Sequence, residues 1–162
     1  MTGKIEDILE QKHIEALQGD FSLEEMMEVL VDTLPKIYER SEPLVDAIQE
    51  IAAGAVSDGT PNRKALSKED RERIIIALLA SRGGGYTMAI HVYLAVVAMG
   101  IRPSEVANIL LLSGIYTGVP TFATGLLELQ KLLMILRDLV DQGAALNPKA
   151  INRNLRVAFH AD

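Results

Sequence analysis

Between Ser67 and Pro120 the chain marks its own helix boundaries, and this punctuation constrains the fold more than any other feature. Ser67-Lys68-Glu69-Asp70 is a capping box, in which the serine hydroxyl accepts a first-turn amide and the acid reaches back. It opens a helix whose apolar face carries Ile74, Ile75, Leu78 and Leu79, and which stops at Gly83, Gly84 and Gly85 just past Arg82. A second helix, over about residues 86–99, is stopped by Gly100. Pro103 suits the first position of a third, over residues 103–115, with Glu105 at the end where the helix dipole favours an acid. A Tyr116-Thr-Gly-Val-Pro120 break then permits a last long helix to about Val140, ended by Gly143.

The flanks are less regular. Ile5, Ile8, Leu9 and Leu17 have helical spacing and end at Gly19, which predicts a short, partly exposed helix able to serve as a docking arm. Ser22 can accept from the amide of Glu25, with Phe21 stapled onto Met26. Pro35 and Pro43 break the next stretch into segments near 23–33, 36–40 and 43–56, and Asp58-Gly59 with Thr60-Pro61 marks an exposed loop over 57–65. The tail, with Lys149, Arg153 and Arg156, is a candidate to cross onto a neighbouring subunit. The division expected is an arm at 1–20, a helical domain at 21–143 and a tail at 144–162.

Hydrophobic residues make up 49% of the 162 but aromatics only 4%, so the apolar content is the aliphatic kind that packs helices. One all-α domain of about six to eight helices follows. A mean hydropathy of +0.19 is high for a lone helical domain, implying that some apolar faces meet other subunits. A net charge of −6 argues against nucleic acid and anionic membrane as partners, since both require concentrated basic surface. The absence of cysteine removes disulfides, thiolate nucleophiles and thiolate metal sites and fits a reducing compartment. The first residues do not read as a secretory signal, and the apolar runs 89–101 and 109–127 are too short or too interrupted to span a bilayer, so the cytoplasm is the expected address.

His91 is the best handle on chemistry. Thr87, Met88, Leu94, Ala95 and Ala98 lie three, four or seven residues from it, which sets the imidazole in a stripe of small and apolar groups. A neutral imidazole there can take or give one proton, the requirement for general acid-base work on a small acid. The plain alternative is a core histidine bonded to a backbone carbonyl. Arg82 could clamp a substrate carboxylate with its forked guanidinium, or simply be a solvated helix-end cation. Tyr116 could lend a hydroxyl to a pocket beside His91, and Gly83 to Gly85 suit two helices crossing closely. His13 and His160 lie in the terminal segments and no second histidine or acid stands at ligand spacing from His91, so no metal is expected. The charged stretch from Ser67 to Arg73 reads as an exposed first turn and a half.

From about Leu34 to Leu133 the order Leu34-Pro35, the charged stretch from Leu66 to Arg73, the His91 helix, Met99-Gly100-Ile101 with Glu105, and Tyr116 to Pro120 resembles the carboxymuconolactone decarboxylase and alkylhydroperoxidase D-like superfamily. The resemblance implies helical subunits in trimers or hexamers with pockets close to subunit contacts. In the peroxidase branch a Cys-x-x-Cys pair precedes the histidine, and the matching positions here are Gly84 and Thr87, so thiol peroxidase chemistry is not expected. The cofactor-free decarboxylase branch keeps the histidine without the cysteines, and this chain looks closer to it. That branch carries a glutamate shortly before the histidine, whereas residues 83–90 hold no acid; Glu105 and Glu128 are candidates to reach the pocket. The implied activity is a lyase, without cofactor, acting on a small carboxylated lactone or organic acid, with His91 catalytic and Arg82, Thr87 and Tyr116 binding substrate. The alternative is a non-enzymatic oligomeric scaffold or ligand-binding member.

Overall fold

Residues 85–97 read GYTMAIHVYLAVV, with hardly a polar side chain on any side, and a helix apolar all round has to be enclosed by others. The computed structural model, which describes residues 5–32 and 66–161, places that segment at the centre. A 3₁₀ turn at Ile5–Asp7 precedes seven α-helices among the described residues: α1 (Gln11–Gly19), α2 (Leu23–Asp32), α3 (Lys68–Ser81), α4 (Gly85–Val97), α5 (Pro103–Thr117), α6 (Val119–Asp141) and α7 (Pro148–Ala158). No strand occurs among them, so the all-α expectation holds. α1, α3, α6 and α7 surround α4, whose residues from Met88 to Val97 are buried except for His91. Each large aliphatic chain enclosed there contributes roughly 1.5–3 kcal/mol.

The helix starts are those the side chains specify. Ser67 Oγ accepts from the Asp70 amide at 3.0 Å, and Ser22 Oγ from the Glu25 amide at 3.3 Å. Pro103 opens α5, and α5 runs into α6 through Gly118, whose φ of +106° turns the chain within one residue. α5 packs on α6 and α3, and the pair α3–α4 leans against them, α3 on α5 and α4 on α6. The expected segments at 36–40 and 43–56 and the loop at 57–65 lie outside the described residues.

Two expectations change. The inward stripe of α3 is Glu72, Ile76 and Ala80, whereas Ile74 and Leu78 are 45% and 60% exposed. The helix is rotated so that a charged residue, not the more apolar face, meets α4; the reason is the partner Glu72 finds there. The tail is built into the core of its own chain: Asn147 caps α7 through the Ala150 amide at 3.0 Å, Pro148 takes the first turn, and Ile151 and Leu155 are wholly buried. The arm is also fastened, with Leu9, His13 and Leu17 buried and His13 Nε2 3.1 Å from Asp141 Oδ1. At 23 residues and a hydropathy of 1.3, α6 is long and apolar enough to cross a membrane by length and composition. Its Leu129, Leu132, Leu133 and Leu136 instead recur at helical spacing and fill the core, as in an amphipathic core helix.

Candidate active site

α3 and α4 are neighbours joined across the glycine cluster, so a side chain one turn into α3 can reach the middle of α4. Glu72 does so: its Oε1 lies 2.7 Å from His91 Nδ1, with the Glu72 side chain fully buried and the His91 ring 15% accessible. A carboxylate there accepts the Nδ1–H, so in the neutral ring Nε2 is the nitrogen that carries the lone pair. No described residue bonds Nε2. The second carboxylate oxygen, Oε2, is buried and unbonded. A buried acceptor without a partner costs about 1–3 kcal/mol.

The amino end of α4 is held from a different helix. Glu128, on α6, accepts the Gly85 N–H at 2.7 Å. No side chain of α4's own N-cap residue can do this, because that residue is Gly84. The glycine is required twice over: its φ is +67°, and a Cβ built on it would come 2.0 Å from Glu128 Oε2. The close crossing expected of the glycine cluster is thus a carboxylate seated where a side chain would otherwise stand, on the same face as His91 two turns further on.

Glu105 plays another part. It joins α5 to α3, its carboxyl 3.2 Å from Arg73 and 2.8 Å from Arg102, and these two guanidinium hydrogen bonds, Arg102 first, hold it below the usual carboxylate range. The three acids are therefore assigned: Glu72 on the histidine, Glu128 on the helix end, Glu105 in a surface network.

Among the residues singled out from the sequence, Thr87 is half-buried one turn before His91 on its face, and Arg82 is exposed as the C-cap residue of α3. Tyr116 stands 88% exposed near the end of α5. The acid missing from residues 83–90 is supplied by Glu72, inside the stretch read as an exposed turn and a half. That reading is corrected by the full burial of Glu72. A signal existed in the four-residue spacing Glu72, Ile76, Ala80, which marks one helix face, but the charge at its head argued for solvent. Among the described residues no three His, Asp or Glu side chains converge where a metal ion could sit.

A family model described as carboxymuconolactone decarboxylase family matches residues 42–131, more than half of the 162. The chain belongs to the carboxymuconolactone decarboxylase family. Glu72, Gly84, His91 and Glu128 all lie within the matched stretch, while α1, α2 and α7 lie outside it. Having no cysteine, the chain goes with the branch that lacks the Cys-x-x-Cys pair. Searches among curated proteins and among solved structures give no match.

Proposed function

We propose that the protein is a cytoplasmic, cofactor-free decarboxylase-like lyase acting on a small carboxylated lactone or related organic acid, with His91 as the proton shuttle. The observation that carries this reading is the 2.7 Å pair of a fully buried Glu72 and a partly accessible His91. A carboxylate on Nδ1 orients the ring and stabilises the imidazolium formed whenever Nε2 takes up a proton. When the bond from the substrate carbon to its carboxylate breaks, the electron pair passes into the conjugated lactone carbonyl and CO2 departs. The proton on Nε2 is then delivered to carbon, leaving neutral imidazole that refills from solvent. Thr87, on the face of His91, and Arg82, at the end of α3, are proposed to bind the substrate, Arg82 through its carboxylate. Tyr116 is proposed to do so from a subunit boundary, in keeping with its exposure.

Self-association belongs to the same proposal. Leu112, Ile115, Tyr116 and Val119 are 58%, 66%, 88% and 76% exposed, an apolar end that a lone soluble domain has no reason to keep. The test is CO2 release from a panel of carboxylated lactones by the wild type and by His91→Gln. Turnover that is lost in the variant supports the shuttle. Turnover that survives unchanged refutes it, and retained binding without turnover in the wild type leaves the ligand-binding scaffold.

A further inference from the structure

Which faces would meet in a self-associated form is written on α6. Its outer side is left open by the other described residues: Leu127 is 67% and Met134 40% exposed, and Val157 on the adjoining end of α7 is 74% exposed. A groove of about 400 Å³ runs there, its lining including Leu127, Lys131, Met134, Ile135, Asp138 and Ala158. Lys131 and Asp138 are seven residues apart, two turns, and so share one side of the helix. Met134 and Ile135 lie midway between them.

A helix with a cation and an anion placed symmetrically about an apolar middle is complementary to itself turned end for end. Laid antiparallel, two such helices set Met134 against the partner subunit's Ile135. Lys131 then faces the partner subunit's Asp138 on both sides of the axis. A parallel pairing in the same register would oppose like charges. Both charges are already held at the groove. Lys131 Nζ donates to the Ala158 carbonyl and sits 4.5 Å over the Phe159 ring, and Asp138 accepts from Arg137 at 2.8 Å. Little ordering then remains to be done on association. The apolar end around Ile115 lies in a run, 106–127, without a single Asp, Glu, Lys or Arg, so that run offers no such pair of charges.

We propose that this face of α6 joins two copies of the chain through a two-fold, antiparallel α6 pair, with Met134 and Ile135 at the axis and reciprocal Lys131–Asp138 contacts flanking it. The inference rests on the self-association already proposed and adds to the apolar end around Ile115 a second surface with a symmetry of its own. It does not depend on catalysis.

The experiment is sedimentation equilibrium of the wild type, Lys131→Glu, Asp138→Lys and the combined variant, with helicity confirming that each folds. An even-numbered assembly is expected. Each single reversal opposes like charges at two symmetric points and weakens association by about tenfold or more, while the combination restores it. Raising salt narrows the difference between them. A wild type that remains monomeric defeats the self-association reading as well. One that stops at a trimer, or that associates equally well in all four forms, or a double variant as weak as the singles, overturns the α6 pairing alone, and a different protein on this face is then the reading left.

Discussion

Glu72 and His91 are nineteen residues apart in the chain and 2.7 Å apart in space, the carboxylate on one helix accepting from the imidazole on the next. Because the carboxylate is fully buried, water cannot compete for that bond, and the ring is held as the Nδ1–H tautomer. Nitrogen-15 NMR of the imidazole at mildly alkaline pH should therefore show His91 protonated at Nδ1 and bare at Nε2. Glu72→Met keeps volume and removes the acceptor, so the ring should revert toward the ordinary mixture of tautomers. An Nε2–H form in the wild type contradicts the geometry.

Gly84 gives a second expectation. Gly84→Ala must place a Cβ against Glu128 Oε2 at a φ of +67° that side chains rarely adopt. The loss of the carboxylate cap together with the backbone strain should cost about 2–4 kcal/mol in urea denaturation. The combination Gly84→Cys with Thr87→Cys should for the same reason fail to yield a thiol peroxidase, read as the absence of a reducible disulfide. A Gly84→Ala variant as stable as the wild type would show that α4 begins differently.

Tyr93 carries the pH prediction. It is fully buried, its hydroxyl has no hydrogen-bond partner, and burial first, then the charges of Glu25 and Asp20, push its ionisation well above the ordinary 10.0. The folded state therefore keeps the phenol neutral where the unfolded chain ionises. Its contribution to stability is whole below pH 10.0 and is lost as pH rises beyond that toward the folded value. Tyr93→Phe should flatten this alkaline loss and, by deleting an unbonded buried hydroxyl, raise stability near neutral pH by about 1 kcal/mol. Urea denaturation at neutral pH and at about pH 11 checks both; a variant less stable at neutral pH would mean the hydroxyl has a partner.

The helices were legible because their ends are chemical: Ser67 and Ser22 cap, Pro103 starts and Gly118 turns, each acting locally. α4 announced its central place through apolar residues on every side. Glu72 was not legible, because a glutamate in a charged run is ordinarily solvated, and only its contact with His91 across the α3–α4 interface turns it inward. The tail was hidden for a simpler reason. Asn147-Pro148 is a helix start, but the charges of Lys149, Arg153 and Arg156 mask Ile151 and Leu155 between them, which fill the core.

The central claim is that Glu72 and His91 act as one proton-handling unit, and a double-mutant cycle on CO2 release tests it most directly. With a carboxylated lactone that the wild type turns over, His91→Gln should lower kcat/KM by roughly 10²–10⁴-fold and Glu72→Gln by a smaller factor. The double variant should be no worse than His91→Gln alone. Equal turnover in the wild type and His91→Gln, or two losses that simply multiply, would contradict the account.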